Sequence, residues 1–288
     1  MKVGYFPGCS LTGSAKEFDI SLREVLRALG VELQEIDDWS CCGASSAHVV
    51  SRVLATALPM RDLVLAEEQG IDRLLVPCAA CYNRLICAQH EMQHDHELGG
   101  EVREALRSDA GGKVEILNII ELLAEIGTDA LAARSEVKLG SARVACYYGC
   151  LLLRPHDITG FDDVEQPESM ERLVKAIGAE PIQWGFKTEC CGGAHSISHK
   201  RIVADLSKRI IDDARSNGAN LVVVACPMCH TNLDMRQKEI RKHYPDHEEL
   251  PVVYITELLG LALGIHRKKL GINLHFVKLP QHIGKAAS

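Results

Sequence analysis

No stretch of the chain approaches the roughly 18 consecutive apolar residues that a membrane-spanning helix needs, and the N-terminal MKVGYFPGCS lacks a long apolar segment before a small-residue cleavage site. The sequence therefore predicts no membrane insertion and a cytoplasmic location. Positive charge is also scarce: 32 lysines and arginines face 39 acidic residues, for a net charge of -7. Without a basic stripe to meet phosphates, nucleic acid is not an expected partner. Low-complexity segments are missing too. A hydrophobic fraction of 47%, a charged fraction of 25% and a mean hydropathy of -0.01 describe an ordinary globular protein. Its 288 residues suffice for one large or two modest domains with their own cores. Finally, there is no G-x-G-x-x-G in a strand-turn-helix setting and no four-cysteine ferredoxin run. A chain without either has no visible means of taking electrons from a nucleotide, so an obligate complex is expected, and the isolated chain should oxidise neither NADH nor reduced ferredoxin.

Cysteine, by contrast, is abundant. The twelve cysteines need an explanation other than structural disulfides, which do not persist in a reducing cytosol, and their spacing points to metal or redox chemistry. Five of them, Cys9, Cys41, Cys42, Cys78 and Cys81, recur in the same order as Cys150, Cys190, Cys191, Cys226 and Cys229. The intervening residues number 31, 0, 35 and 2 in the first set and 39, 0, 34 and 2 in the second. Flanking residues repeat as well: YFPGC with YYGC, CCGASSAH with CCGGAH, VPCAAC with VACPMC, and VEILNIIELLAEIG with PVVYITELLGLALG. This is an internal duplication over nearly the whole chain, with the break between residues 128 and 141 and lobes expected at 1–135 and 141–288.

Short, nearly all-apolar runs such as KVGYF, LLVP, RVACYY and LVVVA precede cysteines, as buried parallel strands do. Between them lie helical periods closed by glycine, including EFDISLREVLRALG, VVSRVLATALPMRDLVLAEEQG and HKRIVADLSKRIIDDARSNG. The expected fold is α/β: two pseudo-symmetric lobes, each a small parallel sheet with flanking helices. Cysteines at the carboxyl ends of such strands, where these sheets carry ligands, are expected to converge. The charged stretch HEMQHDHELGGEVREALRSDAGGK reads as a solvated helix end and loop.

A structural zinc site takes four ligands, commonly from two C-x2-C knuckles. Each half offers one knuckle, one vicinal pair and one lone cysteine, which is one sulfur more than a zinc site or an ordinary cubane cluster uses. The two CCG blocks, with FPGC, YYGC, PCAAC and CPMC around them, resemble the cysteine-rich CCG domain proteins. YYGCLLLRP, ACPMCHTNLDMRQ and ELLGLALG look like the B subunits of heterodisulfide reductases. The resemblance implies that each five-cysteine set holds one noncubane 4Fe-4S cluster, Cys9, Cys41, Cys42, Cys78 and Cys81 binding one and Cys150, Cys190, Cys191, Cys226 and Cys229 the other. It further implies a disulfide substrate between the clusters, CoM-S-S-CoB of methanogenesis or a related thiol disulfide, with each cluster giving one electron. Electrons would arrive from the ferredoxin-like C subunit and the flavoprotein A subunit of the same complex.

Cys87 and Cys146 fall outside both sets and read as buried structural thiols. His48 and His195 follow their CCG blocks and His230 follows Cys229, so each is a candidate catalytic proton donor or a hydrogen-bond partner of a cluster sulfur. Lys187, Arg154 and His156 are candidates for holding an anionic substrate tail. Two other readings stay open: an iron-sulfur electron-transfer subunit of a lactate, glycolate or glycerol-phosphate type oxidoreductase without disulfide chemistry, and a structural zinc protein.

Overall fold

The computed structural model describes residues 1–44 and 47–284; the two serines of CCGASSAH therefore lie outside the described residues. The first half forms a four-stranded parallel sheet from β1 (Lys2–Tyr5), β2 (Glu32–Glu35), β3 (Arg73–Leu75) and β4 (Glu115–Leu117), in the order β2-β1-β3-β4. The second half repeats this with β5 (Arg143–Tyr147), β6 (Glu180–Pro181), β7 (Leu221–Val224) and β8 (Val252–Tyr254), in the order β6-β5-β7-β8. The expected pair of α/β lobes is what the chain adopts.

Each strand is followed by a helix, because a parallel neighbour can be reached only by a crossover. The apolar runs of the sequence become the central strands: β7 is buried along its whole length, and β5 at every residue after Arg143. The outer strand β2 carries Glu32, Gln34 and Glu35 and stays partly exposed. The helical period from residue 49 resolves into a short turn of helix, Ala47–Val50, and a long helix, Arg52–Glu68, with the Ser51 side chain accepting from Leu54 N between them. The charged stretch expected as a helix end and loop differs: Asp95 caps a further helix, His96–Leu106. Leu98 and Val102, four residues apart, bury one face of it against the core.

The lobes exchange their outermost layers. The helix after β4, Ile119–Ile126, and the one that follows it, Thr128–Arg134, pack on Ser169–Ala176 of the second lobe, and Ile255–Ala262 of the second packs on Lys16–Ala28 of the first. At the latter contact the Phe18 ring stacks on Tyr254, with centroids 4.2 Å apart, and the buried hydroxyls of Ser21 and Thr256 lie 2.7 Å apart. Both terminal helices begin with a reciprocal glutamate: Asn118 N donates to Glu121 and Tyr254 N to Glu257, each at 2.8 Å. One continuous apolar core runs through both lobes. Among the described residues no helix is long and apolar enough to cross a membrane.

Candidate functional site

Every cysteine of the two repeated sets lies in a segment that leaves the carboxyl end of a strand, and the sheet order brings those ends together. In the first lobe Cys9 lies in the short helix Gly8–Thr12 after β1, Cys41 and Cys42 in the loop after β2, and Cys78 and Cys81 just past β3. Cys42 Sγ is 3.2 Å from Cys81 Sγ. In the second lobe Cys191 Sγ is 3.6 Å from Cys229 Sγ. Cys78 and Cys226 occupy the N-cap positions of the helices Ala79–His94 and Pro227–Met235, where backbone N–H groups pull both thiols down, for Cys78 by less than Cys226 and burial push it up. Gly43 N and Gly192 N donate to Cys41 Sγ and Cys190 Sγ at 3.4 and 3.3 Å.

The two sets adjoin. Hydrogen bonding with Cys226 is the main cause pushing the Cys78 thiol up, and Cys226, hydrogen-bonded to Cys229 and then to Cys78, is pulled well down. Within the sets the thiols sort into unequal pairs. Cys42 is lowered, chiefly by a hydrogen bond from Cys81, and Cys81 is raised in return. Cys190 falls to about 6, chiefly through Cys150, with smaller help from Gly192 N, Gly193 N and His195, while Cys150 rises. Cys42, Cys190 and Cys226 are thereby held toward the thiolate, the form that binds metal.

All twelve cysteines are free thiols. Among the described residues no three His, Cys, Asp or Glu side chains are grouped as a single ion would need; the sulfurs meet pairwise over a wider span. Two glycines keep room for them. Gly8 and Gly149, at φ of +62° and +67°, lie where a Cβ would come 3.1 Å from Cys81 Sγ and Cys229 Sγ respectively. An all-thiol set of five with backbone donors, too spread for one ion, fits an iron-sulfur group better than a tetrahedral zinc.

The remaining candidates separate. His195 is exposed in the turn Gly193–His195 beside Cys190, its ring edge-on to His199. His48 is exposed and faces a cavity next to the first set. His230, although it follows Cys229, is buried with Nε2 3.2 Å from Val252 O and its ring stacked on Tyr254; burial pulls its pKa well down. Lys187 is not available to a substrate: it is 2% exposed, with Nζ 2.5 Å from Glu171 and donating to Pro167 O. Arg154 pairs with Glu165 at 3.5 Å, and His156 is exposed at the start of a four-residue helix. Cys146 is fully buried within β5, whereas Cys87 is half-buried on a cavity wall.

Three residues near the sulfurs lie in the repeated motifs but are not among the expected site residues. Asn232 Nδ2 donates to Cys191 O at 3.0 Å and lies 3.6 Å from Cys191 Sγ. Its position three after Cys229 in ACPMCHTNLDMRQ, one helical turn on, is the clue to it. Tyr147 and Tyr254 are buried beside the sulfurs of the second set and beside Cys226 and Cys78 respectively, and burial pushes both phenols well up.

The cysteine-rich domain family CCG matches residues 3–86 and 144–234. The chain is 33% identical to the 8-methylmenaquinol:fumarate reductase membrane anchor subunit of Wolinella succinogenes, over 93% of this chain and 94% of that one. It is 28% identical to the B subunit of the ferredoxin/F(420)H(2)-dependent CoB-CoM heterodisulfide reductase of Methanosarcina acetivorans, over 99% and 96%. With a protein of Archaeoglobus profundus described as like the heterodisulfide reductase B subunit it shares 29% identity over 93% of each. In fold it is similar to a hypothetical protein from Helicobacter pylori, with a TM-score of 0.76 at 12% identity, covering 97% of this chain and about half, 52%, of that one. With a matched region in each lobe and five thiols gathered at each, the chain belongs to the cysteine-rich CCG domain family, related over nearly its full length to the B subunits of heterodisulfide reductases.

Proposed function

We propose that this chain is the catalytic subunit of a heterodisulfide reductase-like oxidoreductase complex, reducing CoM-S-S-CoB or a related small thiol disulfide in the cytoplasm. The observation that carries this reading is that two equivalent thiol sets lie at the strand ends of two lobes in contact there, Asn83, two residues after Cys81, donating to Leu151 O at 3.2 Å and to Arg154 O at 2.7 Å just past Cys150, since two-electron cleavage of one S–S bond into two thiolates is served by two equivalent centres facing one site. Cys9, Cys41, Cys42, Cys78 and Cys81 hold one noncubane 4Fe-4S cluster in lobe 1–135; Cys150, Cys190, Cys191, Cys226 and Cys229 hold the other in lobe 141–288. When bound, the clusters supply electrons one at a time.

The chain's own groups do the rest. Gly43 N and Gly192 N and the two capped helix N-termini stabilise thiolate charge. His195, exposed beside Cys190, gives a proton to a departing thiolate. His48 stands at the corresponding place in the first lobe. His230, with its ring nitrogen committed to Val252 O, supports the fold under the site rather than proton transfer. Subunits resembling the ferredoxin-like C and flavoprotein A subunits of heterodisulfide reductase bring electrons to the chain.

A second reading, an electron-transfer subunit without disulfide chemistry, is favoured by the Wolinella succinogenes relative, whose name joins a quinol to fumarate. An anaerobic iron and acid-labile sulfide assay with EPR separates the readings. About eight irons per chain and a paramagnetic signal that changes on adding a thiol under oxidising conditions support the disulfide reading. Iron present with a signal indifferent to thiol supports the electron-transfer reading, and zinc without iron rejects both.

A further inference from the structure

Beside the first thiol set is a cavity of about 330 Å³ lined by His48, Arg52, Arg84, Cys87 and Glu91, together with Ala55 and Ala88. Its size is that of a small-ligand site. Arg52 is matched by acid, reaching Asp95 at 2.8 Å and Glu91 at 3.8 Å. Glu91 is further held by the Thr56 hydroxyl at 2.8 Å. Arg84 differs: it is half-buried, and among the described residues it makes no ion pair and no side-chain hydrogen bond. A guanidinium partly removed from water is costly without an anion to accept from it.

The duplication supplies an internal control. Three and seven residues after Cys81 come Arg84 and Ala88; three and seven after Cys229 come Asn232 and Arg236. In the second lobe these side chains close the space themselves. Ser196 Oγ bonds Asn232 Oδ1 at 2.7 Å, Arg236 donates to Ser196 O, and its other nitrogen takes Glu239 at 2.7 Å. In the first lobe the counterpart arginine stands where the asparagine would be, Ala88 leaves the space of the second arginine vacant, and a cavity results.

We propose that this cavity is an anion-binding site, taking a carboxylate, sulfonate or phosphate group between Arg84, Arg52 and His48. Arg84 is one helical turn past Cys81 on the helix Ala79–His94, so an anion held there lies within a small molecule's length of the first thiol set. Burial pushes the Cys87 thiol up, only partly offset by Arg84, and the neutral thiol does not repel the anion. Such a group belongs either to the tail of a thiol or disulfide whose sulfur reaches the cysteines or to a free anion; the first source rests on the function proposed above. The cationic wall also disfavours a purely apolar ligand at this place.

The test uses the full chain loaded with iron and sulfide. Isothermal titration with inorganic phosphate and with ethanesulfonate should show one saturable site in the wild type, weakened about tenfold or more in Arg84→Gln and in Arg52→Gln, and unchanged in Arg241→Gln on the far surface. Failure of the wild type to bind either anion, or equal binding by Arg84→Gln with its iron content intact, overturns the proposal. Steady-state reduction of dithiodipropionate and of bis(2-hydroxyethyl) disulfide by wild type and Arg84→Gln, with a reduced viologen dye giving the two electrons to the clusters directly, then identifies the source. A raised KM for the charged disulfide alone, with kcat kept, assigns the site to a substrate tail; lost anion binding with both KM values unmoved assigns it to a free anion. A chain that reduces neither disulfide but still loses anion affinity in Arg84→Gln refutes the disulfide reading and leaves the anion site standing.

Discussion

Gly8 and Gly149 each precede the first cysteine of their set, and each would press a Cβ to 3.1 Å from a sulfur of the same set while adopting a positive φ. Alanine at either place must strain the backbone, by about 1–3 kcal/mol, and displace Cys81 or Cys229. Gly8→Ala should therefore remove about half of the bound iron and Gly149→Ala the other half, whereas Gly70→Ala, whose Cβ meets nothing within 4 Å, should lower stability slightly and leave iron intact. Iron and sulfide content with thermal unfolding of the three variants checks this. The glycines were legible in FPGC and YYGC because they repeat. Other residues were not. Lys187 reads as a surface cation until the fold brings Glu171 against it, and sequence distance hides that pairing. His230 reads as a site residue because it adjoins Cys229, yet adjacent residues on a helix point about 100° apart, and its ring lies against Tyr254 instead.

The loop that carries the first vicinal pair is held by the helix after it. Ser40 N and Oγ both donate to Asp62 Oδ1, at 2.7 and 3.2 Å, from a fully buried carboxylate on the helix Arg52–Glu68. Asp62→Ala leaves the Ser40 N–H without its acceptor and should cost about 1–3 kcal/mol, with loss of iron from the first set only. Asp62→Asn keeps the accepting oxygen and should retain iron, a contrast that element-resolved hydrogen exchange of residues 36–44 can follow. The strand runs of this architecture were legible because central parallel strands are apolar on both faces. The helix His96–Leu106 was not, since two glycines and five charged or histidine side chains mask a period of only two buried leucine and valine contacts. Nor could composition show that Ala88 and Arg236, at equivalent places, make one lobe open and the other closed.

Between the lobes the tail segment carries His275, whose Nε2 is 2.8 Å from Glu257 Oε1, neither side chain having any exposed surface. Burial pulls the imidazole down, but Glu257, with Asp234 and Glu17, outweighs it, and the net shift is upward. A histidine raised in the folded state contributes stability that is fully present below its unfolded pKa of about 6.5 and is lost as pH rises through the raised value. Thermal stability should accordingly decline above neutrality, and Glu257→Gln should flatten that decline while keeping the Tyr254 N–H acceptor; matched melting curves from pH 6 to 9 in the two proteins, about three pH units around the histidine range, measure the difference. Separately produced segments 1–135 and 141–288 should each remain unfolded, because Ile119–Ile126 and Ile255–Ala262 find their apolar seats on the opposite lobe. Mixing them should restore circular dichroism and iron uptake, and folding of either segment alone would refute this dependence of each lobe on the other.

A half-length chain of the same fold would leave its outer helix without a seat unless a second copy supplied one, so each lobe serves the other as a partner subunit would in a twofold dimer. Cys78 and Cys226 hold equivalent places in the two copies and adjoin where the copies meet. Two copies carried in one chain need not stay alike as two subunits of one gene must: Arg84 borders a cavity, whereas Asn232 at the equivalent place bonds Ser196.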